Sequence, residues 1–212
     1  MPLKPVPVLV AVALLAGCGG GDDEPGGSTS ASGCVAVERP EPREPEAQEA
    51  PTSPLDEDVR AVVVTNCGEF TIALDRESAP NATASFAALA EDGWFDDTIF
   101  HRIVPGFVIQ GGDPTGAGGG GPGYTTVDPP PAGTAYTKGV VAMAKAGHEP
   151  PGAAGSQFFV VTGDDIGLPP DYAVIGTVTG GPDVVERIGA LGDASERPTE
   201  TIVVERVELE RG

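Results

Sequence analysis

The chain has 212 residues and 21.4 kDa, room for one ordinary domain with extensions. Its formal net charge of −20 speaks against a nucleic-acid partner, because binding a polyphosphate depends on clustered Lys and Arg. Gly 31 and Pro 22 make up about a quarter of the sequence and aromatics only 5%, so any core must lean on Val, Ile, Leu and Ala.

At the N-terminus Lys4 precedes a short apolar run, Val6 to Ala16, that is broken by Pro7 and is well short of the eighteen or so residues a membrane span needs. It ends in Leu14-Leu15-Ala16-Gly17-Cys18, which resembles the bacterial lipoprotein box. That resemblance implies a signal peptide over 1–17, cleavage before Cys18 and lipid on Cys18. It also implies an exported chain, anchored to the outer face of the bacterial cytoplasmic membrane or to the cell envelope, with a lipid bilayer as a partner. Residues 18–58 hold Gly, Ser, Pro, Asp and Glu with almost no aromatic or branched aliphatic side chain. Such a segment cannot bury enough area to offset its ordering entropy, so a disordered tether is expected, flexible in its Gly/Ser part and more extended from Pro40 to Pro54. A tethered domain makes a monomer the default expectation. With Cys18 lipidated, Cys34 and Cys67 allow one internal disulfide, suited to an oxidising compartment and too widely spaced for a Cys-x-x-Cys redox pair.

From residue 59 the pattern changes. Val59 to Thr65 and Phe70 to Leu74 read as a hairpin around Asn66-Cys67-Gly68-Glu69. Pro80 starts a helix with Phe86, Leu89 and Ala90 on one face, Asn81 as its expected cap and Gly93 as its stop. Strand character returns over Trp94 to Gln110. A glycine- and proline-rich excursion follows from Gly111 to Gly133, of a length that is usually functional. Gly139 to Ala144, Ser156 to Thr162 and Ala173 to Val178 read as strands, Asp183 to Leu191 as a second helix and Thr201 to Leu209 as the last strand. The expectation is a mainly β domain over 59–212, two helices on an antiparallel sheet closed into a barrel, which removes exposed sheet edges.

Within it, Ile99 to Asp113 places Arg102 and Gln110 on an otherwise apolar strand–turn–strand that runs into the glycine-rich segment. This stretch resembles the signature of the cyclophilin-type peptidyl-prolyl isomerases. Further blocks match in order: Gly68 to Ile72 with Ala79 to Phe86, Trp94 to Arg102, Gly139 to Ala144, Gly155 to Phe159, and Tyr172 to Gly176. The resemblance implies a closed eight-stranded barrel capped by two helices, no cofactor or metal, and proline-containing polypeptides as partners. It assigns Arg102 as the catalytic arginine with Gln110 beside it, and Phe107, Val108, Phe159, Leu168 and Tyr172 to the substrate groove. His101 is not an acting group in the family and reads as a packed histidine. Backbone groups around Ala144 and Lys145 could hold the flanking peptide as if adding a strand.

The residue types suit that chemistry. Rotation about an X–Pro amide is slow because the bond has partial double-bond character, and twisting it frees a lone pair on the prolyl nitrogen. A fixed cationic donor aimed at that nitrogen favours the twisted form over the planar one. Arginine is always charged and holds its donors in a rigid fork. Two departures stand out: Gly167 falls where the family often has a groove tryptophan, so only weak binding of the cyclic peptide cyclosporin is expected, and Lys145 falls where Asn is frequent. Two histidines and no Gly-x-Ser-x-Gly or His-Glu-x-x-His disfavour a hydrolase or metalloenzyme. The other reading is the same barrel as a non-catalytic proline-peptide binding or holdase module on the cell envelope.

Overall fold

A computed structural model describes residues 29–212; the signal segment and Cys18 lie outside the described residues. The expected opening hairpin is β1 (Val59–Thr65) and β2 (Gly68–Leu74), paired antiparallel from Arg60↔Ala73 to Thr65↔Gly68. Then come α1 (Pro80–Glu91), β3 (Thr98–Ile99), β4 (Arg102–Val104), β5 (Val108–Gly111) and β6 (Thr126–Val127). The chain continues through β7 (Val140–Met143), β8 (Ala153–Ala154), β9 (Phe158–Val161), β10 (Val174–Gly180), α2 (Pro182–Gly189) and β11 (Val203–Arg211).

The sheet corrects the expectation of a closed eight-stranded barrel. Among the described residues it has nine strands, all pairs antiparallel, in the order β3-β11-β1-β2-β10-β7-β9-β5-β4, with β6 and β8 as a separate pair. It curls into a half-barrel whose edge strands, β3 and β4, are consecutive in the chain and share no ladder. Their backbones turn to irregular partners instead: Phe100 N donates to Ile202 O at 3.0 Å and Ile103 N to Glu196 O at 3.0 Å. The loop before β11 thus covers the edge that a ladder would have closed.

The concave side holds the main core. Phe158 on β9 meets Phe86, Phe95 and Phe100 nearly edge-on, with ring centroids 5.4, 5.7 and 6.1 Å away. All four rings are fully buried, each contributing about 1.5–3 kcal/mol by leaving water. α1 packs Phe86, Leu89 and Ala90 inward and lies against β11, and α2 buries Val184, Val185 and Ile188 against β2, β4 and β5.

The cap of α1 also differs from expectation. The helix starts at Pro80, so Asn81 lies in its first turn and no side chain caps it from Ala79. Asp128, from the long excursion, takes that part: Oδ2 accepts from Ala82 N at 2.6 Å and Oδ1 from Asn81 Nδ2 at 2.7 Å. A carboxylate at the positive end of the helix stabilises it from outside its own sequence.

Cys34 and Cys67 form the expected disulfide, both buried. The segment read as a disordered tether behaves otherwise over its described part. Residues 36–58 hold no helix or strand, as their composition requires, yet the chain lies along the domain instead of standing free. Val35 N donates to Asn66 O at 2.7 Å, Arg43 N to Pro114 O at 3.0 Å and Gln48 N to Pro122 O at 2.8 Å. Backbone donors made these contacts, so the scarcity of apolar side chains did not prevent them.

Candidate active site

The convex face of the sheet carries a second apolar cluster, separate from the main core. Val108, Tyr136, Ala142, Phe159 and Val161 are buried in it, and Phe107, Ala144, Ile166, Leu168 and Tyr172 pack against it partly exposed. Every apolar groove residue expected from the sequence, namely Phe107, Val108, Ala144, Phe159, Leu168 and Tyr172, belongs to this one cluster.

Strand register sets the polar residues beside it. The hairpin of β4 and β5 turns at Pro105-Gly106-Phe107 and pairs Arg102 with Gln110; β5 then pairs Gln110 with Phe159 on β9. Arginine, glutamine and phenylalanine therefore stand in a row across three strands, on one face. Arg102 Nη1 lies 3.4 Å from Gln110 Oε1, Arg102 Nε donates to Glu196 Oε2 at 2.7 Å, and its Cζ sits 5.9 Å from the centre of the Phe107 ring. Two of the five guanidinium N–H donors are so engaged, and the side chain stays about a third exposed (33%), open to a ligand.

The cluster is largely aromatic. Phe159 and Tyr172 meet edge-on at 5.5 Å, and Tyr136 joins both at 6.4 and 6.0 Å. Tyr136 was not singled out in the sequence, where it stands alone after the glycine-rich excursion. Its hydroxyl donates to Tyr172 O at 2.7 Å and accepts from Tyr172 N at 2.9 Å, fixing the backbone that presents Tyr172. Burial and the neighbouring Asp171 and Tyr172 push the Tyr136 phenol up against the opposing hydrogen bond with Tyr172, so it is a neutral donor at pH 7. On the open side, Gly167 is exposed with nothing close to where a side chain would begin, so the wall a tryptophan would form is missing.

Beyond Gln110 lies a cavity of about 540 Å³ lined by Gly118 to Thr125, Ala144, Lys145, Glu149 and Gln157. Ala144 N is already committed to Gln157 O at 2.8 Å, so that donor is not open to a peptide. Lys145 Nζ lies 5.6 Å from the centre of the Tyr172 ring and donates to Glu149 O at 3.2 Å, bridging pocket and cavity. Gln157 and Glu196 are further polar residues that the sequence did not mark. Gln157 could have been found as the polar position next to Phe158-Phe159 in a matching block, whereas no local pattern points to Glu196.

His101 is half-buried next to Arg102 in the chain. Burial lowers its pKa, Arg102 and Arg39 add to the lowering, and Asp113 works in the opposite direction. Asp113 is fully buried, and burial alone would raise it. Hydrogen bonds from Gly120, Thr115 and Gly118 outweigh that and hold it below its ordinary value of 3.8.

What stands here is an arginine beside an aromatic cluster on a curled antiparallel sheet, with a glycine-lined cavity beyond Gln110. The chain belongs to the cyclophilin-type peptidyl-prolyl cis-trans isomerases. The family model described as cyclophilin type peptidyl-prolyl cis-trans isomerase/CLD matches residues 60–209. A probable peptidyl-prolyl cis-trans isomerase A of Mycobacterium leprae is 34% identical over 178 residues, covering 74% of this chain and 96% of that one. Peptidyl-prolyl cis-trans isomerase B of Streptomyces anulatus is 36% identical over 176 residues, covering 74% and 99%. Among solved structures, a Cryptosporidium parvum cyclophilin-type isomerase is similar with a TM-score of 0.67 at 30% identity, covering 73% of this chain and 99% of that chain. A structure of the same parasite protein obtained in the presence of the dipeptide Ala-Pro matches with a TM-score of 0.66.

Proposed function

We propose that this isomerase accelerates rotation about X–Pro bonds of exported polypeptides, with Arg102 stabilising the twisted amide and no covalent intermediate. The observation that carries the reading is the row Arg102, Gln110 and Phe159 across three paired strands. The prolyl ring enters the pocket of Phe107, Val108, Phe159, Leu168 and Tyr172, which places its nitrogen near the guanidinium. Gln110 holds the arginine from one side and Glu196 from the other. The planar amide has its lone pair delocalised into the carbonyl; at a right-angle twist the pair returns to nitrogen and accepts from a guanidinium N–H. The donor is present before the twist, so little reorganisation is needed at the barrier.

Export and lipid anchoring belong to the same proposal. Their support is the Leu14-to-Cys18 box in the sequence and a disulfide, which persists where the surroundings are oxidising. The open wall at Gly167 supports only weak cyclosporin binding.

The test is a proline-isomerisation assay on a short peptide. Arg102→Ala should lower kcat/KM by roughly 10²-fold or more, the cost typical of removing one preorganised donor to developing charge. Arg102→Lys should recover little, since a point charge does not reproduce the fork. Circular dichroism of both should match wild type. A wild type without acceleration, or an Arg102→Ala variant as fast as it, would leave a proline-peptide binding or holdase module as the function.

A further inference from the structure

The glycine-rich loop from Gly112 to Gly123 forms one wall of the cavity beyond Gln110; Asp113 ties down Thr115 to Gly119 from within, and the two ends of the loop are left to outside contacts. Gly-rich backbone carries the largest conformational freedom of any sequence, so its geometry must come from contacts. From inside, Gln157 Nε2 donates to Gly120 O at 3.1 Å, Gln110 Nε2 donates to Gln157 Oε1 at 3.1 Å, and Gln110 Oε1 faces Arg102 Nη1 at 3.4 Å. A chain of side-chain amides thus runs from the loop to the arginine.

From outside, the loop is held by the proline-rich segment that precedes the domain. Arg43 N donates to Pro114 O at 3.0 Å, Arg39 Nη2 to Gly116 O at 3.0 Å and Gln48 N to Pro122 O at 2.8 Å, spacing three anchor points along the loop. Ala47 also lies against Gly123. Arg43 Nη2 fastens the segment to the domain through Trp94 O at 2.8 Å and Asp96 O at 2.9 Å. The upstream end is pinned by the Cys34–Cys67 disulfide and by Asn66 Nδ2 donating to Val35 O at 2.8 Å. Glu38, Glu41, Glu44, Glu46 and Glu49 give this segment the same sign of charge as the domain, so its position rests on these donors and not on net attraction.

We propose that residues 39–48 are a positioning strap for the substrate groove, with Arg43 and the Gln48 amide as positioning residues. The strap sets the wall that the glycine-rich loop presents to the part of a peptide lying beyond Gln157. It leaves the ring pocket of Phe159 and Tyr172, which it does not touch, as it is. The inference rests on the isomerase reading for its kinetic readout and on peptide binding alone for its other readout.

The experiment uses the full chain with Arg43→Ala, Arg43→Lys and Gln48→Pro. Gln48→Pro deletes one backbone donor at a half-buried position and is the second variant should Arg43→Ala fold poorly. Two probes are compared: an Ala-Pro dipeptide, which fills only the ring pocket, and a hexapeptide with a central Ala-Pro that reaches past Gln157. Releasing the strap from Trp94 O and Asp96 O by Arg43→Ala, or deleting the Pro122 anchor by Gln48→Pro, should raise Kd and KM for the hexapeptide about fivefold, the scale of one net hydrogen bond, with kcat unchanged. Dipeptide affinity should stay at the wild-type value, and Arg43→Lys, able to serve one of the two carbonyls, should recover part of the loss. Equal weakening of both probes, no change for either, or a fall in kcat at constant KM overturns the strap. A wild type that binds both peptides without accelerating isomerisation overturns the isomerase reading alone, and the Kd comparison still decides the strap.

Discussion

Glu196 is the residue whose two roles pull in opposite directions. Its backbone is left-handed at φ 63°, a conformation that costs an L side chain roughly 1 kcal/mol. The turn Asp193 to Arg197 enforces it: Asp193 Oδ1 accepts from Ser195 N at 2.8 Å and Arg197 N at 3.0 Å, and Glu196 N donates to Asp193 O at 3.0 Å. The result is a carboxylate on Arg102 Nε, with Nη1 turned toward Gln110. Both partners are partly exposed, so the ion pair adds little to stability; what it supplies is orientation. Glu196→Gly should therefore hold or raise the thermal midpoint by relieving the backbone, while kcat/KM falls about fivefold from a less ordered guanidinium. Glu196→Gln keeps an acceptor and should lose less. Thermal melts and kinetics on the same samples decide it; a joint fall in stability and activity for Glu196→Gly would contradict the assignment.

Among the elements, the β4–β5 hairpin was readable from sequence and the glycine-rich loop was not. In the hairpin, Val104 and Val108 flank Pro105-Gly106-Phe107, so a turn there brings Arg102 opposite Gln110, and period-two alternation puts both on one face. The loop has no periodicity, and its organiser is one buried carboxylate. Asp113 Oδ1 accepts from Thr115 N at 2.8 Å, and Oδ2 from Gly118 N at 2.6 Å and Gly119 N at 3.0 Å. A side chain at Gly120 would collide with Asp113 Oδ1, which is why that position is glycine. Because these bonds favour the charged form, the folded pKa lies below the unfolded one. The stabilisation is complete above the unfolded value, near 3.8, and is lost as pH falls through the folded value. Urea unfolding at pH 7 should show Asp113→Asn less stable by about 1–3 kcal/mol, the cost of donors left facing a poorer acceptor. As the pH falls below 3.8 and through the lowered folded value, that gap should narrow. A gap unchanged across this range would mean that the carboxylate's charge is not what holds the loop.

For the molecule as a whole, composition anticipated which residues form elements but not which surfaces come to rest on one another. The low apolar content of 18–58 correctly excludes helix and strand from 36–58, but the long-range partners Asn66, Pro114 and Pro122 carry no mark in the sequence. The same holds for sheet closure, where Glu196 and Ile202 cover an edge that strand counting alone would close. Laying 29–58 on the domain shortens the reach of an anchor. From Cys18 to Thr29 the chain spans at most about 40 Å, at 3.3–3.6 Å for each residue, against well over 100 Å were the whole of 18–58 free. A lipid on Cys18 would hold Thr29 within about 40 Å of the bilayer surface. Expressed with its N-terminus intact in a bacterium that processes lipoproteins, wild type should sediment with membranes and its mature mass should begin at a lipid-modified Cys18. Cys18→Ser should move the protein to the soluble fraction or leave it unprocessed, with the isomerase rate of the purified domain unchanged. If Cys18→Ser is cleaved normally and still sediments with membranes, the chain is held there by something other than this cysteine.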